Sequence, residues 1–143
     1  MSDPVAAPGT RSAARRRALD ILFEADLVDR PVAEVLARHR ADREAGAPDA
    51  YTVELVEGVA GRRDDLDARI AGAAEHWTID RMPLVDRNLL RLAAFELTAR
   101  PEVPTAVVLD EAIELAKLLS TADSGRFVNG VLAHIAGEVR GPA

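Results

Sequence analysis

The chain has 143 residues, enough for one domain or for two small helical subdomains sharing a core. It contains no cysteine, which excludes disulfides, thiolate metal sites and cysteine nucleophiles, and its 3 % aromatic content beside abundant Ala, Leu, Glu and Arg is a helix former's alphabet. The net charge of −6 is uneven: residues 1–18 carry Arg11, Arg15, Arg16 and Arg17 against Asp3, a net of +3, which leaves −9 on the remainder. An acidic body with a basic helix start points to a local anion-binding patch rather than a generally adhesive surface.

The first ten residues, MSDPVAAPGT, have no basic-then-apolar leader pattern and read as a disordered lead-in. No apolar run approaches the ~18 residues of a membrane span, so a cytoplasmic protein is expected. Helical spacing begins at Arg11 and predicts a first helix over 11–28 with Ala14, Ala18, Ile21, Leu22 and Ala25 facing inward. Pro31 opens a second helix carrying Val32, Val35, Leu36 and His39. Gly46 and Pro48 mark a loop from Glu44 to Asp49. A third helix follows from near Asp49 through Val53, Leu55, Val56 and Val59, and Gly58 and Gly61 predict a break before a fourth around Leu66 and Ile70.

The fifth helix is expected to begin with a cap at or near Asp80 and with Pro83 in its first turn, and to end at the Pro101–Pro104 bend. Val85, Leu89, Leu90, Leu92, Ala93, Ala94 and Leu97 cover most of its circumference, the pattern of a helix buried on several sides. Arg87, Arg91 and Thr98 form its one polar stripe, with Asn88 beside them. Glu96 falls inside the apolar arc and is expected at an exposed boundary near the helix end. Thr105 to Leu119 forms a sixth helix. A seventh, capped by Asp123 and Ser124, runs to about residue 138 before a short tail over 139–143. In it Val128, Val131, Leu132 and Ile135 share a core face, while Gly130, Ala133 and Gly137 form a smooth second face expected to receive another group.

Catalytic and metal-binding patterns are scarce. His39, His76 and His134 lie on separate segments without ligand spacing, and Asp64, Asp65 and Asp67 crowd a helix start where carboxylates favour the dipole. Glu111 and Glu114 have an i, i+3 spacing, but no second helix carries the Glu-x-x-His that a carboxylate-bridged metal bundle needs. Neither a Gly-rich phosphate loop nor a nucleophile elbow is present. The expectation is a binding protein with no enzyme activity, cofactor or metal.

The order RSAARRRALDILFEA, MPLVDRNLLRLAAFEL and VPTAVVLDEAIELAKLLSTADSGRFVNGVL resembles the NusB family of bacterial transcription antitermination factors, from about Arg11 to Ile135. The FVNGVL block after an EAIELAK helix is its most specific part. The resemblance implies an all-α fold of about seven helices in two small subdomains sharing a core, spanning 11–138. It implies binding of single-stranded boxA RNA from ribosomal RNA transcripts together with the ribosomal protein NusE, beside other Nus factors on RNA polymerase. By the same resemblance, Arg11, Arg15, Arg16 and Arg17, with Asp123, Arg126 and Phe127, are candidates for RNA contact, and Asp86 and Arg91 for contact with NusE.

Three features depart from the family pattern or leave it open: the Pro/Ala-rich lead-in, the missing basic tail, and whether the chain forms a homodimer. Two other readings remain at this point. One is a targeting module like the N-terminal domain of RNA cytosine methyltransferases; the other is a protein-interaction module whose arginines meet an acidic partner. If roughly three or four phosphates are neutralised, log K should fall with log salt at a slope of about −2 to −3 for a single strand.

Overall fold

The inward spacing of Ala14, Ala18, Ile21, Leu22 and Ala25 corresponds to a buried face: none of the five is more than 4 % exposed. They belong to α1 (Pro8–Val28) in a computed structural model that describes residues 8–75 and 77–141. After it come α2 (Val32–Ala41), α3 (Ala50–Gly61), α4 (Arg63–Ala73), a 3-10 turn at Ile79–Arg81, α5 (Leu84–Ala99), α6 (Thr105–Leu119) and α7 (Ala122–Arg140). No strand occurs among the described residues. The helix starts three residues before the expected boundary at Arg11; the rest of the lead-in, residues 1–7, lies outside the described residues, as do His76 and residues 142–143.

Local chemistry sets most of the helix ends. Asp49 caps α3 by accepting a hydrogen bond from Thr52 N at 3.0 Å. α1 closes with Asp29 in the left-handed region (φ 55°) and an Arg30 N to Ala25 O bond of 3.0 Å, a Schellman-like ending built without glycine. Two expected caps are displaced. Pro83, not Asp80, occupies the N-cap of α5, and Asp80 belongs to the 3-10 turn that precedes it. Thr121 caps α7 by accepting from Ser124 N at 3.0 Å, so Asp123 and Ser124 lie inside the helix.

α5 packs against α1, α3, α4, α6 and α7, as its all-round apolar pattern requires, and one continuous cluster of buried residues draws on all seven helices. Gly58 lets α3 lie close to α5: a Cβ there would fall 2.2 Å from Phe95 Cζ. On α7, Val128, Val131, Leu132 and Ile135 are buried, whereas Gly130, Ala133 and Gly137 face outward. Among the described residues nothing covers that second face, since a Cβ on Gly130 or Gly137 would meet no atom within 4 Å.

The expected tail over 139–143 is in part a tether. Val139 packs on the core, and Arg140 donates to Leu97 O (3.1 Å), Glu96 O (3.2 Å) and Arg100 O (2.9 Å) at the end of α5. It also reaches Val103 O at 2.7 Å. A guanidinium there satisfies helix-end carbonyls and matches the negative end of the dipole.

Candidate nucleic-acid interface

The four arginines at the start of α1 have four different environments. Arg15 is 4 % exposed and points into the protein. Its Nε donates to both carboxylate oxygens of Glu96 (2.9 and 3.1 Å), Nη2 adds a third bond at 3.0 Å, and Nη1 reaches Glu111 at 3.0 Å. Burial disfavours its charge, but the hydrogen bond and field of Glu96, with Tyr51 and Glu111 behind it, leave the guanidinium more firmly protonated than usual. Glu96 itself is 1 % exposed rather than at an open boundary, and it also accepts from Tyr51 Oη at 2.5 Å. Arg15 is thus an interior ion-pair residue, and its expected place in an RNA-contacting surface is corrected.

Arg17 donates to Gly46 O at 2.8 Å and Ala45 O at 3.3 Å, fastening α1 to the loop before α3. Arg16 is exposed and has only a loose pair with Asp20, one turn on, at 3.6 Å. Exposed pairs of that kind hold a side chain weakly. Arg11 makes no ion pair among the described residues, and its guanidinium carbon lies over the Tyr51 ring, 4.2 Å from its centroid. Exposed Arg16 and half-buried Arg11 are therefore the two that no hydrogen bond among the described residues ties to another element of the fold.

A second cluster surrounds the start of α7. Trp77 is 50 % exposed, and its ring meets that of half-buried Phe127 edge to face, with centroids 6.1 Å apart. The two rings border a groove of about 230 Å³ whose lining includes Met82, Pro83, Asp86 and Ser124. Asp86 is 3 % exposed; its Oδ2 accepts from Ser124 Oγ at 2.9 Å, while Oδ1 has no partner among the described residues. Asp123 and Arg126 stand exposed at the rim, paired with each other across one turn. Asp86 and Glu96 are ten residues apart on α5, about 15 Å at 1.5 Å per residue, so the two clusters sit at opposite ends of that helix.

Arg91, expected on a partner-facing stripe with Asp86, is 2 % exposed. It donates to Asp67 through Nε (2.7 Å) and Nη2 (3.1 Å) and to Asn88 Oδ1 at 3.2 Å. Arg87 and Asn88 bind Asp26 from the same side, at 2.6–2.8 Å. Burial alone raises the Asp26 pKa, but the hydrogen bonds from Arg87 and Asn88 and the nearby Arg87 and Arg91 charges outweigh it and hold the carboxyl at about 2. The polar stripe of α5 is an internal seam joining α1, α4 and α5. Neither Asp86 nor Arg91 lies on the outer surface, which corrects that expectation.

A profile of the NusB family matches residues 12–137. The chain belongs to the NusB family. It is 55 % identical over 128 residues to the transcription antitermination protein NusB of Salinispora arenicola, covering 88 % of this chain and 94 % of that protein. The corresponding protein of Streptomyces coelicolor is 50 % identical over 129 residues, 87 % and 91 % of the two chains. Among solved structures, T. maritima NusB superposes with a TM-score of 0.78 at 32 % identity, over 96 % of this chain and 94 % of that one. A chain in a structure of antitermination factors NusB and NusE in complex with dsRNA gives a TM-score of 0.78 at 29 % identity, over 90 % and 96 %. The seven-helix, all-α architecture of this NusB-family chain agrees with those neighbours.

Sequence reasoning named Arg16, Asp123 and Arg126, which are exposed, Arg11, which is half-buried, and the groove-lining Phe127. It missed Trp77 and Tyr51. Both carried a signal, since each is the single residue of its kind in a chain with few aromatics, and Trp77 lies just before the helix cap expected at or near Asp80.

Proposed function

We propose that this NusB-family chain is a transcription antitermination factor that binds boxA-type single-stranded RNA of ribosomal RNA transcripts together with NusE, within a complex on RNA polymerase. The observation that carries the reading is the family match across nearly the whole chain; the structures it resembles include a chain from the NusB, NusE and dsRNA complex. The surface chemistry supports it. Arg11 and Arg16 put cations without close ion pairs on a body of net negative charge, an arrangement suited to a phosphate backbone. Trp77 and Phe127 supply an aromatic edge on which an unpaired base can stack.

The protein acts by binding rather than by catalysis, in the cytoplasm. Among the described residues no helix is long and apolar enough to cross a membrane. A role as the targeting module of an RNA methyltransferase is less favoured, because the chain covers about nine-tenths of the antitermination proteins at 50–55 % identity. The test is binding of boxA-like and scrambled RNA, each with and without NusE. The expected outcome is tighter binding of boxA-like RNA and a further gain with NusE, the reciprocal coupling of two ligands on one protein. Equal affinity for the two RNAs under both conditions overturns the proposal.

A further inference from the structure

Tyr51 stands at the junction of the buried ion pairs and the exposed arginine face, and the RNA-binding reading assigns it no role. Its hydroxyl donates to Glu96 at 2.5 Å, and Glu96 is held from the other side by three hydrogen bonds from Arg15. Ser12 Oγ and Arg15 Nη1 meet on Glu111 at 2.5 and 3.0 Å, closing the network onto α6. The Tyr51 ring is therefore fixed at its hydroxyl end, while its face lies under Arg11 at 4.2 Å. Arg15 and Arg100 lie farther off, at 5.9 and 5.8 Å from the ring centroid. A guanidinium held over a ring face is attracted by the ring's quadrupole and spends none of its N–H donors on that contact, so they remain available to a phosphate.

We propose that Tyr51 is a positioning residue for RNA: it holds the Arg11 guanidinium over its ring, pre-ordered for a backbone phosphate, so that little side-chain freedom is lost on binding. The inference rests on the RNA-binding reading of the α1 face. The two carboxylates reinforce the arrangement, because buried Glu96 and half-buried Glu111 are already engaged by Arg15, Tyr51 and Ser12 and compete less for Arg11. Tyr51 thereby converts a buried ion-pair network into the orientation of a surface donor. Pre-ordering of a flexible side chain lowers the cost of association without adding a contact.

The experiment compares wild type with Arg11→Ala, Arg11→Lys, Tyr51→Phe and Tyr51→Leu, measuring boxA-like RNA affinity across a salt series at a temperature where circular dichroism shows each variant folded. Tyr51→Phe keeps the ring but loses its tie to Glu96, and is expected to weaken binding less than Tyr51→Leu does. Tyr51→Leu and Arg11→Ala are expected to weaken binding about two- to fivefold, the worth of an exposed cation–π contact. Arg11→Ala should also flatten the log K against log salt slope by about 0.7, one phosphate for a single strand, whereas Tyr51→Leu keeps the cation and should leave the slope near wild type. The Tyr51→Leu and Arg11→Ala double variant is expected to bind no more weakly than either single one. Arg11→Lys keeps the charge and loses the guanidinium over the ring, so it too is expected to weaken binding, and it does not disturb the interior.

Wild-type affinity in Arg11→Lys, or in Tyr51→Leu while Arg11→Ala is impaired, overturns the positioning role and leaves the RNA-binding face standing. An Arg11→Ala variant with unaltered affinity and slope removes both Arg11 as a phosphate contact and Tyr51 as its support.

Discussion

Arg15 and Arg11 are four residues apart on one helix and have the same chemistry, yet the structure assigns them opposite roles that one pair of variants separates. Arg15→Ala leaves Glu96 buried with only the Tyr51 hydroxyl and removes all three of its bonds to the guanidinium, together with the Arg15 bond to Glu111. Removing one partner of a buried pair costs about 3–5 kcal/mol, because the remaining charge stays desolvated. For a chain of this length each kcal/mol shifts Tm by roughly 3–4 °C, so Arg15→Ala should melt roughly 10–20 °C below wild type. Arg11→Ala removes a half-buried side chain with no ion pair among the described residues and should change stability by less than about 1 kcal/mol.

RNA binding reverses the order. With Arg11 and Arg16 as the only α1 arginines not tied to another element of the fold, this patch should contribute a salt slope of about −1.4, half of what four arginines would give. Thermal melts by circular dichroism and RNA binding over a salt series measure both quantities. Arg15→Ala should retain the full slope while folded; Arg11→Ala should lose about 0.7 of it. An Arg15→Ala protein that melts with wild type and shows the shallower slope would refute the assignment of Arg15 to the interior.

Asp26 predicts an acid limb. Its folded pKa of about 2 lies below the ordinary 3.8, so its stabilisation, about 2 kcal/mol, is complete above pH ~4 and is lost as pH falls through ~2. Asp26→Asn should flatten that part of a stability-against-pH curve, and an unchanged acid limb counts against the seam. Arg91→Glu would set a third carboxylate beside Asp26 and Asp67 and should leave no folded protein by circular dichroism; a folded, NusE-defective product would return Arg91 to the surface. Gly58→Ala should destabilise by about 1–3 kcal/mol through its clash with Phe95, whereas Gly130→Ala, with open space around it, should stabilise by up to about 1 kcal/mol. Denaturant midpoints measure both, and equal shifts would contradict the packing.

The family block FVNGVL and the 3.6-residue periodicity were sufficient for the all-α class, the number of helices and the inward faces of α1, α5 and α7. Apolar faces are legible in this way because burial of a helix stripe depends on spacing along one helix alone. Arginine does not have that property. Arg11, Arg15, Arg16 and Arg17 look equivalent in the chain, and what separates them is Glu96 and Glu111, about 80 to 100 residues away, together with the Tyr51 ring and the carbonyls of Ala45 and Gly46.

The stripe of α5 shows the same limit. Arg87, Asn88 and Arg91 would mark a solvent face on an isolated helix, but Asp26 from α1 and Asp67 from α4 turn it into an internal seam. A charged side chain is buried or exposed according to whether its counter-charge arrives from another part of the fold, and its own sequence neighbourhood carries no record of that partner.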